Sequence, residues 1–326
     1  MKLPRFLLTV RSLLGAGAAI VALGLATAGS LPAQELSAQD LHTFWQQTLT
    51  RLAAEPMEAV IEPVAEPLPY RKFRITLRSL GGVHFRALLA LPVQGESPAK
   101  PWPAIVTVPG YGGTQQGVML SECLRGYAIL QVYPRSQGES EALWKIDGPD
   151  KLTWHVAQPE GAYYQGAYAD VVRAIDYLVS RADIDPARIG LAGTSQGGGI
   201  ALAVAALDPR VKVVVAHVPF LCDFRTAART PNALVRTLLE RANCNNETTL
   251  RTLDYFDPLA LALDLHAPAL ISAGGKDEVC PAATIRAAFD RIPGVKSLAV
   301  YPDLTHTSCA AFYDLSWPWL DYYLRR

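Results

Sequence analysis

The chain has 326 residues and is 50% hydrophobic, which is enough to bury a large core in one domain or in two small ones. Its 30 basic and 30 acidic residues give a formal net charge of zero. The basic excess typical of nucleic-acid-binding proteins is therefore absent, and local motifs must indicate the function.

The N-terminus has the layout of a secretory signal peptide. Basic residues without an acid precede an apolar run rich in Gly and Ala, and small residues offer cleavage after Ala28 or Ala33. The alternative is an uncleaved membrane anchor, since the run approaches the ~20 residues that span a bilayer. The small residues dilute its hydrophobicity, so we expect an exported protein, periplasmic or secreted. Residues 1–33 would be the signal and 34–326 a single domain.

The cysteines do not suggest a metal site. Their number is odd, so at least one thiol is free, and no CxxC pair is present. We expect most of them to be small buried hydrophobic residues, and the pairing of any disulfide stays open. They are Cys123, Cys222, Cys244, Cys280 and Cys309.

Apolar runs rich in Val, Ile and Ala predict about eight strands. The first two flank Gly81 and Gly82, which predicts a β-hairpin. The runs are 73–79, 83–92, 104–109, 127–134, 188–193, 211–219, 268–274 and 296–302.

Helical patterns alternate with the later strands. Apolar residues recur at helical spacing in 168–179, small residues fill 197–207, and 281–292 begins with a proline. Strands that alternate with helices predict an α/β protein with a mostly parallel, eight-stranded sheet flanked by helices. A hairpin followed by β/α units is the order of an α/β-hydrolase core.

Two segments interrupt this alternation, at about 137–164 and 220–258, and each follows the end of a predicted strand. Ligands bind beyond the carboxyl ends of the strands in open parallel sheets. We therefore interpret both as insertions that border a substrate pocket, although surface loops without a function are the alternative. No second domain is evident.

The segment "GTSQG" (193–197) fits the G-x-S-x-G pattern, with a predicted strand before it and a helix after it. In this context the serine is lifted above the sheet on a sharp turn, and the flanking glycines allow the close packing. A phosphate-binding loop is excluded because no G-K-[ST] follows. Ser195 is the predicted nucleophile.

A serine nucleophile needs a histidine base and an acid, which follow it in the order acid, then histidine, in this fold. His306 lies in the loop after the last predicted strand, whereas His217 falls inside a strand and His266 precedes one. Asp277 lies after the penultimate strand and is the predicted acid. The weaker candidates are Asp223, Asp257, Glu278 and Asp303.

Two backbone N–H groups are predicted to bind the oxyanion. One belongs to Gln196, directly after the nucleophile, and the other to Tyr111 in the glycine-rich loop after the third strand. The same loop could suggest a dinucleotide site, but Gln115 stands where G-x-G-x-x-G needs its last glycine. No metal, nucleotide or flavin site is visible, so no cofactor is expected.

Several segments resemble the acetyl xylan esterase and cephalosporin-C deacetylase family of α/β-hydrolases. The most specific are "GTSQGGG" (193–199), "VPFLCDF" (218–224) and "DEVCPAAT" (277–284), and the resemblance extends from residue 44 to the end. It implies a serine carbohydrate esterase that deacetylates small acetylated sugars, xylo-oligosaccharides and cephalosporin C. Members often form hexamers.

The resemblance also implies roles for individual residues. It matches Ser195, Asp277 and His306 to the triad and Tyr111 and Gln196 to the oxyanion donors. It further matches Arg135 and Gln137 to motif residues that brace the loops around the site.

The chain departs from the family pattern in three places. Thr307 stands where the family usually has glutamate, and Ser136 stands where it has glycine. The segment 145–165 follows the family only in part. The aromatic residues around it could stack on sugar rings or simply pack the insertion; they are Trp144, Trp154, Tyr163 and Tyr164.

The sequence therefore predicts an exported serine esterase that hydrolyses short acyl esters, above all acetylated saccharides. A peptidase-like enzyme or a general carboxylesterase of the same fold is one alternative, and a non-catalytic binding protein is another. The intact set of serine, aspartate and histidine favours an enzyme.

Overall fold

The computed structural model describes residues 36–66, 69–93, 101–113, 120–307 and 309–326. Residues Leu36–Arg326 belong to one compact unit. The predicted signal peptide and both of its cleavage positions lie outside the described residues. Within the described ranges, no helix combines the length and the apolar character needed to cross a membrane.

A nine-stranded sheet forms the centre of the unit, in the order β1-β2-β3-β5-β4-β6-β7-β8-β9. The pairings from β1 through β3 to β5 are antiparallel, and the remaining pairings are parallel. The strands are β1 Val60–Pro63, β2 Tyr70–Arg78, β3 His84–Pro92, β4 Trp102–Val108, β5 Ala128–Tyr133, β6 Ile184–Thr194, β7 Val211–His217, β8 Ala269–Gly274 and β9 Lys296–Tyr301. The α/β class and the mostly parallel sheet are thus confirmed.

The predicted hairpin is present, with Arg78 paired to His84 across the turn at Gly81 and Gly82. The count of eight strands was one too low, because β1 was not predicted. Its four residues are all exposed at the antiparallel edge of the sheet, so the strand has no buried apolar face that a pattern could reveal.

Helices cover both faces of the sheet. Along β7, Val214 and Ala216 face one core and Val213 and Val215 face the other, as the two-residue period of a strand requires. The helices are α1 Ala38–Ala54, α2 Leu120–Leu124, α3 Tyr163–Val179, α4 Gln196–Leu207, α5 Phe224–Ala227, α6 Leu234–Arg241, α7 Glu247–Asp254, α8 Pro258–Leu261, α9 Ala282–Arg291 and α10 Ala310–Leu324. Residues of α3 and α4 lie in the first core, and residues of α10 lie in the second.

Two long connections leave the carboxyl ends of parallel strands. The first insertion, residues 137–162, follows β5 and consists of a 3-10 turn and irregular turns before α3. The second insertion, residues 218–261, follows β7 and contains α5 to α8. Asp257 ties the second insertion together, since its carboxylate accepts the N–H groups of Asp223, Phe224 and Leu259 at 2.9, 2.7 and 2.8 Å.

Candidate active site

Ser195 lies on a sharp turn between β6 and α4. Its backbone has φ 56° and ψ −120°, which a residue with a side chain rarely adopts. A Cβ atom on Gly197 would lie 1.9 Å from the carbonyl oxygen of Val108, and one on Gly193 would lie 2.3 Å from the carbonyl carbon of Gly197. Only glycine fits at these two positions, so the G-x-S-x-G pattern reflects packing of the turn against β4.

A chain of hydrogen bonds links three of the predicted residues. His306 Nε2 is 2.9 Å from Ser195 Oγ, and His306 Nδ1 is 2.8 Å from Asp277 Oδ2. The other carboxylate oxygen of Asp277 accepts the N–H groups of Val279 and Cys280 at 2.9 and 2.8 Å. These two donors fix the carboxylate, so that its free oxygen faces the imidazole.

The competing candidates are placed elsewhere. Asp303 pairs with Lys276 at 2.6 Å on the surface, and Asp223 caps α5 through the N–H of Thr226. Asp257 is buried and accepts backbone N–H groups within the second insertion, and His266 is exposed before β8. None of these side chains hydrogen-bonds Ser195 or His306 within the described part of the chain.

His217, at the end of β7, supports the turn through its backbone. Its carbonyl oxygen accepts the N–H of Ser195 at 2.8 Å, while its side chain packs against the rings of Phe312 and Tyr313. The ring atom Nε2 is buried without a hydrogen-bond partner among the described residues, and burial lowers the pKa of His217 from 6.5 to about 4. The imidazole is therefore neutral at physiological pH.

The predicted oxyanion donors lie on either side of the serine. Gln196 is the first residue of α4, where backbone N–H groups have no acceptor within the helix. Gly110, just before Tyr111, approaches the serine closely: a Cβ atom on it would lie 3.7 Å from Ser195 Cβ. The two backbone positions therefore meet beside Ser195.

Gln137, which the resemblance matches to a residue that braces the loops, joins these two elements. Its side-chain amide donates to the carbonyl of Gly110 at 2.5 Å and accepts from the side chain of Gln196 at 2.9 Å. The hydroxyl of Tyr164 then donates to Gln196 Oε1 at 3.2 Å. The side chains of Gln196 and Tyr164 were not predicted to take part, because nothing in the sequence indicates which buried polar groups meet.

Arg135 is anchored by a residue that the sequence analysis missed. Its guanidinium donates to both oxygens of Asp170 in α3, with Nε at 3.0 Å and Nη2 at 2.7 Å. Ser136 has φ 58°, in the left-handed region that favours glycine, at the position where the family has glycine. A buried acid among the apolar positions of α3 was the available signal for Asp170.

The ring of Tyr111 is enclosed by both insertions. The N–H of Leu152 donates to its hydroxyl at 3.2 Å, Phe220 packs edge-on against the ring, and Lys151 Nζ lies 4.3 Å from the ring centroid. Burial raises the pKa of Tyr111 to about 12, so the phenol is neutral.

Cys280 is a further neighbour of the serine. Its thiol, a carboxylate oxygen of Asp277 and a ring nitrogen of His306 lie within 4.8 Å of one another, and such a set could hold a metal ion. Asp277 and His306 already bond to each other, and burial raises the pKa of Cys280 well above its usual value. A neutral thiol binds metals poorly, so the arrangement suits a hydrogen-bonded triad better than a cation. All five cysteines are free.

The aromatic residues divide into two groups. Tyr163 and Tyr164 are each only 1% exposed, so they pack the core beneath the insertion and are not available to a sugar ring. Trp144 and Trp154 are half-buried and contact each other edge to face at 5.2 Å.

The sheet order, the strained serine turn and the loop positions of the acid and the histidine define an α/β-hydrolase. The acetyl xylan esterase (AXE1) family model matches residues 19–322, and the chain belongs to this family.

Individual relatives agree with this assignment. Acetyl esterase Axe7A of Xylanibacter ruminicola is 31% identical over 155 residues, which are 48% of this chain and 35% of that protein. An acetyl xylan esterase from a Paenibacillus species superposes with a TM-score of 0.81 at 27% identity, covering 90% of this chain and 97% of that one. Acetyl xylan esterase 1 from Thermoanaerobacterium has a TM-score of 0.78 at 21% identity, with coverages of 86% and 93%, and shows the shared fold.

Proposed function

We propose that the protein is a serine esterase that removes acetyl groups from small acetylated saccharides such as xylo-oligosaccharides. The observation that carries the proposal is the hydrogen-bond chain from Asp277 through His306 to Ser195 at the carboxyl ends of β6, β8 and β9. Membership of the acetyl xylan esterase family supports the choice of acetyl esters.

In the first half of the reaction, Ser195 Oγ attacks the carbonyl carbon of the ester while its proton passes to His306 Nε2. The oxyanion that forms is bound by the N–H groups of Gln196 and Tyr111. The carbon–oxygen bond to the sugar then breaks, and His306 returns the proton to the departing hydroxyl oxygen. An acetyl-serine remains.

In the second half, His306 takes a proton from water, and the resulting hydroxide attacks the acetyl-serine carbonyl. Collapse of this intermediate releases acetate, and the proton returns to Ser195 Oγ. Asp277 accepts the Nδ1–H bond throughout and stabilises the imidazolium, without itself becoming protonated. The cycle needs no group other than water.

The test is acetate release from acetylated xylo-oligosaccharides by the wild type and by Ser195→Ala. We expect release by the wild type and a loss of about 10⁴- to 10⁶-fold in kcat for the variant, since the rest of the site still binds substrate. p-Nitrophenyl acetate serves as a second substrate. Its hydrolysis without any release from the saccharide would move the substrate to another class of short ester, and inactivity on both would refute an esterase.

We also propose that the N-terminal signal is removed on export, after Ala28 or Ala33, and that the chain assembles into a homo-oligomer, a hexamer by family resemblance. The layout of the first residues supports the former proposal. Mass spectrometry of the protein from its native host should give a chain that begins at residue 29 or 34. Light scattering of the same preparation measures the number of subunits, and a monomeric mass would refute the assembly.

A further inference from the structure

Asp150, in the first insertion, carries a buried carboxylate oxygen that lacks a donor. Its side chain is 7% exposed, and Oδ2 has no hydrogen-bond partner among the described residues. The nearest cation, Arg241 Nη1 of the second insertion, is 3.7 Å away and is itself 62% exposed. A buried acceptor without a donor is unfavourable, so this oxygen requires a partner that the described part of the chain does not supply.

Lys151, the next residue, is half-buried and carries a donor group. Its ammonium lies against the ring of Tyr111, and no described residue accepts a hydrogen bond from it. Burial lowers the pKa of Lys151, and the charges of Glu141 and Asp150 partly oppose this effect. A buried acceptor without a donor and an ammonium without an acceptor among the described residues thus belong to adjacent positions, and the ammonium lies over the ring of Tyr111.

Both groups lie close to the reacting centre. Lys151 Nζ lies over the ring of Tyr111, the charge of Asp150 acts on the same phenol, and the hydroxyl of that phenol accepts the N–H of Leu152 at 3.2 Å. The backbone of the same tyrosine is a donor of the proposed oxyanion site and is held by Gln137. Asp150 and Lys151 are therefore one side chain away from the ester carbonyl, where the sugar part of an acetylated saccharide must lie.

We propose that Asp150 and Lys151 form a subsite that binds a vicinal diol of the leaving saccharide, on an unacetylated sugar residue beside the acetylated one. One hydroxyl donates to Asp150 Oδ2, and its neighbour accepts from Lys151 Nζ. The inference rests on the proposed function and adds the groups that would recognise the saccharide. The two opposite charges leave no net charge, which suits a neutral polyol better than an anion or a cation.

An ion pair between Asp150 and Arg241 does not account for the arrangement. At 3.7 Å the contact is too long for a hydrogen bond, and an exposed arginine contributes little through such a pair. It also leaves the ammonium of Lys151 without an acceptor.

The experiment compares Asp150→Asn and Lys151→Met with the wild type on acetylated xylo-oligosaccharides and on p-nitrophenyl acetate, whose leaving group has no diol. We expect the ratio of kcat/KM for the saccharide to that for the phenyl ester to fall about 10- to 100-fold in each variant, mainly through KM. A second measurement is inhibition of p-nitrophenyl acetate hydrolysis by deacetylated xylo-oligosaccharide, whose inhibition constant should rise by a similar factor. The ratio of the two kcat/KM values and the inhibition constant do not depend on the concentration of folded enzyme. A variant that is only partly folded therefore does not distort them.

Two control variants keep the test specific. Glu160→Gln neutralises an exposed carboxylate of the same insertion, and Arg241→Met removes the ion pair alone. Both should leave the substrate ratio at the wild-type value. A ratio that stays constant in Asp150→Asn and Lys151→Met, or an Arg241→Met ratio that falls as far as theirs, would overturn the subsite.

Failure of the proposed function looks different. In that case the wild type itself releases no acetate from the saccharide while it cleaves p-nitrophenyl acetate, and the inference falls together with the function. If the wild type releases acetate from the saccharide and the substrate ratio of Asp150→Asn and Lys151→Met stays at the wild-type value, the function stands and the subsite alone is refuted.

Discussion

The site has two regions that are built in different ways. The triad region, Ser195, Asp277 and His306, stands on loops directly after β6, β8 and β9, and each side chain is held by backbone groups or by its triad partner. The insertion region, residues 137–162 and 218–261, is held by buried side-chain contacts between segments far apart in the chain. Under the proposed function, the chemistry resides in the loops that follow the sheet strands, and substrate choice resides in the insertions.

Among variants that keep the serine, Asp277→Asn should have the largest effect and should act on every substrate. The asparagine keeps the oxygen that accepts from Val279 and Cys280, but it presents an NH₂ group to His306 Nδ1 and so favours the wrong tautomer. We expect kcat to fall about 10³- to 10⁴-fold on saccharide and phenyl ester alike. Asp303→Asn, which changes an exposed surface pair, is the matched control. Unequal losses on the two substrates would contradict the claim that the triad region acts on all esters alike.

Gln137→Leu removes the hydrogen bonds by which Gln137 links the Gly110 loop to Gln196. The carbonyl of Gly110 and the side chain of Gln196 lose their shared partner, and the loop that bears Tyr111 loses its brace. We expect kcat to fall about 100-fold on both substrates, with KM little changed, since a displaced oxyanion donor weakens only the transition state. Steady-state kinetics with the two esters measures this. A loss of activity confined to the saccharide would show that Gln137 acts through saccharide binding and not through the oxyanion donors.

Asp257→Asn should loosen the second insertion and spare the chemistry. One oxygen of the carboxylate becomes a donor and faces backbone N–H groups, so the free energy of unfolding should fall by about 1–2 kcal/mol. Denaturant unfolding measures the change, and Glu240→Ala, an exposed residue of α6, should change it by less than about 0.5 kcal/mol. If kcat on p-nitrophenyl acetate also drops tenfold, the insertion supports the triad directly.

His217→Leu tests the junction between β7 and the second insertion through pH. Because the pKa of His217 is lowered from 6.5 to about 4, the unfolded chain binds its proton first as the pH falls, and stability is lost between these values. At pH 5, protonation of this group in the unfolded chain should lower the free energy of unfolding of the wild type by about 1–2 kcal/mol relative to pH 7. The melting temperature of His217→Leu should therefore fall less on acidification, whereas the exposed His266→Leu should behave like the wild type. Identical pH slopes for all three proteins would contradict the buried, neutral imidazole.

The same division explains what could be predicted from the sequence. The positions of Ser195, Asp277 and His306 follow from strand order and from a glycine pattern that records local packing, so they could be inferred without coordinates. Other features depend on contacts across the fold: the partner of Arg135, the bond from Gln137 to Gln196 and the unsatisfied carboxylate oxygen of Asp150. No periodicity or motif encodes these contacts. The edge strand β1 was not predicted for a related reason, since its exposed residues show no alternation of buried and exposed positions.

The backbone of Ser195 has a consequence for the evolution of the protein. For a residue with a side chain, the backbone angles φ 56° and ψ −120° raise the conformational free energy of the folded state by on the order of 1 kcal/mol or more. Glycine would remove most of this strain. Selection for heat resistance alone would therefore enrich Ser195→Gly over Ser195→Ala and over the natural residue. Selection for turnover would eliminate both replacements, so the two pressures oppose each other at the nucleophile.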